Sequence, residues 1–514
     1  MQNIKILLKE FFSKKENWLL LAIILVAVAI RLYFFSRTYT QALWWDEADY
    51  MQIAKHYAFG TPDVSAPWRA RGMSLIFAVF YFFGATEFFQ RLVVVAVSVL
   101  AVYLTYLLGK EFYNPKVGLI AASFMAVNWQ HLFWSMRFSG EVFALVFFGF
   151  ASLFFWRGYV LWKSKWYMIA SGALIAYGIF LYESVGAIFV FLLVFLFVTD
   201  RFRFLKSKQF WWGVLGLMIV LAAVFAHYYA LYGQIYPRVS HIIEGSLAPG
   251  TELSQKIEEQ GFISVASTAF VFFTNLPDYL LWLIFVFVLV GVLSYADLVV
   301  GFDLLWKKKE PRFQKDFFVL WWGVSVLLFF GLYLAVVKTY YEPRYVFPAY
   351  PILFLIGARG VLAVADAAEK FRKYVGIVVI LLVIGIVAYS HVTLADEIID
   401  VKRVSYAQEK PAGEWLKANT EEGDVIFVCN QDVPFQYYTE RQVVKADGYT
   451  VEELGNLLEE YQPVYYVLDF YHWDCEVEYI EQNQDRFVVA QVYYEGDQPV
   501  IVVFQVLYLA NETG

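Results

Sequence analysis

The chain has 514 residues, of which 60% are hydrophobic, 20% aromatic and only 17% charged. An ordinary soluble domain is about 45–50% apolar and about 25% charged, so the excess excludes a soluble enzyme and a disordered chain. The balance of 40 Lys and Arg against 47 Asp and Glu, net −7, excludes a nucleic-acid partner, and two cysteines exclude a disulfide scaffold.

What remains is a polytopic α-helical membrane protein. A spanning helix needs about 20 apolar residues, and eleven stretches qualify: 18–35, 88–108, 117–134, 141–160, 166–182, 184–200, 210–232, 278–300, 317–337, 345–365 and 374–394. Turn and charge signals separate them, such as Asn114-Pro115 and Lys307-Lys308-Lys309-Glu310-Pro311. The first span follows Lys5, Lys9, Lys14 and Lys15 and lacks a small-residue cleavage site, so it reads as a retained anchor. With that basic end in the cytoplasm, the N-terminus and the loops 109–116, 157–165, 201–209, 301–316 and 366–373 lie inside and carry 21 of the 40 Lys and Arg. The opposite face of the membrane part carries about 11. This asymmetry sets the orientation and predicts a plasma-membrane protein whose C-terminal part is extracytoplasmic.

The apolar segment 72–84 is too short to cross and is expected to lie at the outer surface as an interfacial helix. A twelfth crossing there would put Lys110 and Lys116 outside and reverse every later loop. From about residue 397 the composition changes. Glu414 to Lys417 reads as helix, Asp424 to Cys429 as a buried strand, and Val451 to Tyr461 as helix. Pro463 to Asp469 reads as a second strand, and Phe487 to Leu507, broken at Gly496-Asp497, as a hairpin. The predicted organisation is a transmembrane domain over 1–396, with an outer first loop at 36–87, and a small extracytoplasmic α/β domain over 397–514.

Chemistry is expected in the first outer loop, Leu43-Trp44-Trp45-Asp46-Glu47-Ala48-Asp49-Tyr50, followed by a short surface helix over Tyr50 to Tyr57. A carboxylate at an apolar boundary is partly desolvated, which makes it a better proton acceptor than one in bulk water. Residue types alone fit a solvated acidic loop with interface aromatics better. Other ionisable groups share the same face: Arg69 and Arg71, Arg137 and Glu141, Glu183, and Lys338, Glu342 and Arg344. Singly, each cation reads as a snorkelling side chain. Collected on one side, carboxylates with guanidinium and ammonium groups suit an anionic, lipid-linked substrate.

The pattern Trp45-Asp46-Glu47-x-x-Tyr50, with the interfacial helix and the layout of the next spans, resembles the GT-C membrane glycosyltransferases. The likeness is to their lipid A aminoarabinose transferase and protein O-mannosyltransferase branch. Trp134-Ser-Met-Arg137-Phe-Ser-Gly-Glu141 looks like that family's acidic residue at the head of a span. Tyr341-Glu-Pro-Arg344-Tyr345-Val-Phe-Pro348 is similar to its Arg-Tyr segment before a late span. The chain departs from the pattern at Ala66-Pro67-Trp68-Arg69-Ala70-Arg71, where family members have His-Pro-Pro or Lys-Pro, and at Glu183-Ser184, where the aminoarabinose enzymes have Lys-Gly.

The resemblance implies a GT-C type fold and transfer of a sugar from a polyprenyl-phosphate carrier, with inversion, to a lipid, glycan or protein acceptor. Asp46 is then the expected base, with Glu47 in support. Glu141 is a second acidic contact, and Arg69, Arg71, Arg137, Glu183, Lys338, Arg344 and Tyr345 are expected substrate contacts. No cofactor is obligatory; a divalent ion, if one binds, would fall to Asp46 and Glu141. The alternatives are a GT-C oligosaccharyltransferase or ligase moving a whole glycan, and a transporter of lipid-linked sugar. The transporter would need charged or broken spans near the midplane. Cys429 and Cys475 both follow predicted strands, and a bridge between them is permitted.

Overall fold

Apolar runs in a bilayer have no water to satisfy their backbone groups, so they close as helices. The computed structural model describes residues 13–63, 65–235, 267–301, 303, 305–306, 310–336, 341–471 and 477–508. The helices in chain order are α1 (Lys15–Thr38), α2 (Trp45–Phe59), α3 (Gly72–Phe82), α4 (Glu87–Phe112), α5 (Pro115–Val127), α6 (Trp129–Trp134), α7 (Gly140–Phe155) and α8 (Lys165–Leu181). They continue as α9 (Ala187–Asp200), α10 (Lys208–Tyr232), α11 (Leu276–Leu293), α12 (Pro311–Val336), α13 (Tyr350–Glu369) and α14 (Val375–Lys402).

Among the described residues, nine helices are long and apolar enough to cross a membrane, against eleven expected. The two exceptions are interrupted or short. Asn128 breaks the expected span 117–134: its backbone leaves the helical region (φ −55°, ψ 126°), and its side chain caps the next turn by accepting from His131 N at 3.0 Å. Asn114 caps the other end, accepting from Val117 N, with Pro115 in the first turn. This leaves α5 with 13 residues. Helix α8 has 17 and ends where Tyr182 turns extended.

The chain divides into two compact units. The larger comprises Met1–Ser36, Pro67–Gly72 and Arg91–Ile398; the smaller comprises Arg37–Ala66, Met73–Gln90 and Ile399–Gly514. In the larger unit, α8 and α10 touch backbone to backbone. A Cβ on Gly172 would lie 2.0 Å from the Gly213 carbonyl oxygen, and one on Gly216 would lie 2.1 Å from that of Ile169. Small residues at a helix contact replace the hydrophobic driving force that lipid removes. Arg31, fully buried on α1, ties α1 to its neighbours: it donates to Ser98 Oγ (2.6 Å), Ala27 O (3.1 Å) and Ala126 O (3.0 Å) and bonds His131 Nδ1 (2.9 Å). His131 is itself fully buried.

The smaller unit holds a five-stranded sheet made of β1 (Val425–Val428), β2 (Gln442–Lys445), β3 (Tyr465–Asp469), β4 (Phe487–Glu495) and β5 (Gln498–Val506), ordered β2-β1-β3-β5-β4. β1 is parallel to β2 and β3; β5 is antiparallel to β3 and β4. Alternation sorts the strands onto two cores. Phe427, Tyr466 and Leu468 face α17 (Val451–Tyr461) through Leu454 and Leu458. Ile426, Val428 and Val467 face Ala412 and Leu416 of α15 (Glu409–Ala418) and Phe435 of α16 (Asp432–Thr439). Gly496, at φ 61°, turns the β4–β5 hairpin. Cys429 is disulfide-bonded; Cys475 lies outside the described residues. The strands and α17 follow the sequence pattern, while α16 and β2 were not expected.

Candidate active site

The expected site residues fall in both units, and each group is built from its own surroundings. In the smaller unit, α2 starts at Trp45, earlier than the surface helix expected from Tyr50, which places Asp46 and Glu47 in the first turn. There Glu47 caps the helix: its Oε2 accepts from Trp44 N at 3.0 Å. Glu47 is buried and Asp46 half-buried, so Asp46 is the more accessible carboxylate. One turn on, Asp49 Oδ1 accepts from Ser65 Oγ, and Gln52 Nε2 donates to Ser65 Oγ and to Asp63 Oδ1 (3.1 Å). These bonds tie α2 to the loop that follows it.

In the larger unit, Glu141 sits in the first turn of α7, only 1% exposed. The Tyr182 hydroxyl donates to its Oε1 at 2.6 Å, and Arg344 Nε lies 3.1 Å from the same oxygen. Arg344 also pairs with Glu342, and its guanidinium lies 5.2 Å from the Trp134 ring centroid. Gly140 makes room for Tyr182, because a Cβ there would meet the ring at 2.5 Å. Tyr345 is buried and stacks on Phe330, with 5.2 Å between centroids. Arg137, also buried, lies over the Phe133 ring at 5.2 Å. The structure thus brings Glu141 and Arg344 together and adds Tyr182, an uncharged phenol that carried no sequence signal.

Arg69 and Arg71 belong to the same unit. The Tyr228 hydroxyl donates to Arg69 O (3.1 Å) and the Tyr177 hydroxyl to Gly72 O (2.9 Å), which fixes the segment against α10 and α8. Arg71 is fully buried, its guanidinium 5.1 Å from the Tyr232 ring centroid and close enough to act electrostatically on His227. Lys338 and the Glu183 side chain lie outside the described residues. For a divalent ion, no group of three or more His, Cys, Asp or Glu converges among the described residues, and Glu141 Oε1 is already engaged by Tyr182 and Arg344.

Residues 67–228 match the family model of dolichyl-phosphate-mannose-protein mannosyltransferases, a stretch that contains Arg69, Arg71, Arg137, Glu141 and Tyr182. Among solved structures, the chain is similar to ArnT from Cupriavidus metallidurans bound to undecaprenyl phosphate. Identity is 12% over 95% of this chain and 98% of that one, with a TM-score of 0.64. The chain has the fold of ArnT. The apo form of the same ArnT gives 11% identity over 94% and 97% of the two chains, with a TM-score of 0.65. The likeness in fold extends to the archaeal oligosaccharyltransferase AglB from Archaeoglobus fulgidus in complex with an inhibitory peptide and a dolichol-phosphate. There identity is 14% over 90% of this chain and 70% of that one, with a TM-score of 0.59. No curated protein matches the chain in sequence. The Arg-Tyr element at Arg344-Tyr345 lies outside the matched family stretch, yet within this fold Arg344 partners Glu141.

Proposed function

We propose that the protein is an inverting membrane glycosyltransferase that moves a sugar from a polyprenyl-phosphate carrier to a lipid, glycan or protein acceptor. Glu141 carries this reading: an almost fully buried carboxylate at the head of an apolar span, held by Tyr182 and Arg344. Ionisable groups kept in an apolar bundle mark functional sites. The ArnT and AglB neighbours, with undecaprenyl phosphate and dolichol-phosphate in their structures, support a polyprenyl-phosphate donor.

In the proposed reaction the acceptor oxygen forms a bond to the anomeric carbon. The bond from that carbon to the phosphate oxygen breaks, and its electron pair stays on the phosphate. The acceptor's proton passes to Asp46, acting as general base. Arg69 and Arg71 take the phosphate, because the guanidinium fork matches its oxygens. Arg344 shares its charge with Glu141 and Glu342, so two carboxylates to one guanidinium suit sugar or acceptor hydroxyls better than phosphate. Arg137 and Tyr345 complete the proposed contacts. The positive-inside pattern supports an N-terminus in the cytoplasm and an extracytoplasmic C-terminal domain in the plasma membrane.

The test is transfer from labelled polyprenyl-phosphate sugars in membranes, comparing wild type with Asp46→Asn. Loss of transfer in a normally folded variant is the expected result; full transfer overturns the base. The AglB likeness keeps a second reading, transfer of a whole glycan, which the same assay separates by offering mono- and oligosaccharide donors.

A further inference from the structure

Helix α16 belongs to the C-terminal α/β domain, where it connects β1 to β2. Its last turn also grips the helix that carries Asp46. Leu43 N, fully buried and three residues before Asp46, donates to the Tyr438 hydroxyl at 2.8 Å. At the other end of α2, Lys55 Nζ donates to Tyr437 O (2.9 Å) and pairs with Glu440 (2.7 Å). Glu440 also pairs with Lys417 of α15, which anchors the grip in the α/β core. Gln436 spans the same seam, donating to Pro62 O (3.3 Å) and accepting from Val443 N of β2 (2.9 Å).

The backbone entering α2 is therefore fixed by two consecutive N–H groups. Trp44 N goes to Glu47 within the helix, and Leu43 N goes to Tyr438 of the α/β domain. A buried N–H left without an acceptor is unfavourable, so loss of the phenol would let this entry segment move. A base displaced by about 1 Å loses about 100-fold in rate, since proton abstraction needs hydrogen-bond geometry in the transition state.

We propose that Tyr438 is a positioning residue for Asp46, so that the C-terminal α/β domain takes part in catalysis by holding α2 through Tyr438 at one end and Glu440 at the other. This rests on the reading of Asp46 as the base. The experiment uses the full chain in nanodiscs, with wild type, Tyr438→Phe, Glu440→Gln and Asp46→Asn. It measures the single-turnover transfer rate, the donor Kd and hydrogen exchange over residues 43–59.

Tyr438→Phe keeps the ring and removes only the acceptor oxygen. The expected result is a rate lowered about 10- to 100-fold, a donor Kd within about twofold of wild type and faster exchange near Leu43. Glu440→Gln, which weakens the distal grip, is expected to lower the rate less. A wild-type rate in Tyr438→Phe overturns the proposal, whether or not exchange quickens. Equal losses in donor affinity and rate also overturn it, because they mark a general structural role. If Tyr438→Phe does not fold, Glu440→Gln decides by the same criteria. An active Asp46→Asn protein overturns the base assignment and this proposal with it. An inactive Asp46→Asn beside a fully active Tyr438→Phe overturns this proposal alone.

Discussion

The Tyr182 hydroxyl donates to Glu141 at 2.6 Å, from a ring that fits only because residue 140 is glycine. This bond fixes the carboxylate, with Arg344 on the same oxygen. Tyr182→Phe is expected to lower transfer about tenfold, the equivalent of about 1.4 kcal/mol for a hydrogen bond to a charged group. Glu141→Gln, which removes the charge that faces Arg344, should cost about 100-fold. Gly140→Ala should behave at least as badly as Tyr182→Phe, because the added methyl pushes the ring away. Steady-state transfer assays on the purified proteins check all three, and wild-type activity in Gly140→Ala would count against the geometry.

Arg69 and Arg71 make a separate prediction. Arg71 is fully buried and its segment is pinned by Tyr228 and Tyr177, so it is preorganised. Arg71→Lys keeps the charge but loses the planar fork, and is expected to weaken donor binding by about 10-fold; Arg71→Ala should weaken it by about 100-fold. Donor titrations by intrinsic tryptophan fluorescence report this directly. Arg344→Ala, by contrast, should lower the rate more than the donor affinity.

A pH dependence follows from the C-terminal domain. Glu409 is buried with both carboxylate oxygens lacking a hydrogen-bond partner, and burial, then the neighbouring Asp469, holds its carboxyl well above the ordinary range. Burial likewise pushes Asp469 up to about 7, against the hydrogen bond from Tyr471 N. Raised carboxyl values mean that the folded domain prefers the protonated forms. Stability is therefore full below the unfolded value near 4 and is lost as pH rises towards and through 7. For Asp469 the loss is roughly 4 kcal/mol at 1.36 kcal/mol per pH unit. Hydrogen exchange of β3 and α15 in the full chain should quicken from pH 5 to pH 8 beyond the intrinsic rate. Asp469→Asn should flatten that dependence; an unchanged profile would refute the assignment.

How much of this was readable in the sequence depends on distance along the chain. The spans are local apolar runs, and the strand at 425–428 and helix 451–461 come from neighbours within a few residues. The break at Asn128 is also local, a single capping side chain within an otherwise apolar stretch. The partners that define the site were not readable. Tyr182 meets Glu141 across 41 residues, and Leu43 meets Tyr438 across 395. Helix α16 was hidden because its eight residues include Pro434 and three aromatic residues, a pattern that fits turn or strand as well as helix. Phenols carry no charge, so no count of ionisable groups points to them.

Arg31 offers the last prediction, on stability alone. It is a guanidinium wholly enclosed by helices, and its donors reach Ser98 Oγ, two backbone carbonyls and His131 Nδ1. An arginine in such surroundings is tolerated only because those acceptors replace water. Arg31→Met fills similar volume but leaves Ser98, Ala126 O and His131 without its donors. The expected cost is about 3 kcal/mol, seen as a lowered midpoint of thermal unfolding in detergent. His131→Leu removes one acceptor from a charge that stays buried, and should cost about 2 kcal/mol. Because both residues act through helix packing, the two variants should keep the donor Kd of wild type wherever they remain folded. A lost donor affinity in folded Arg31→Met would instead tie this arginine to the substrate.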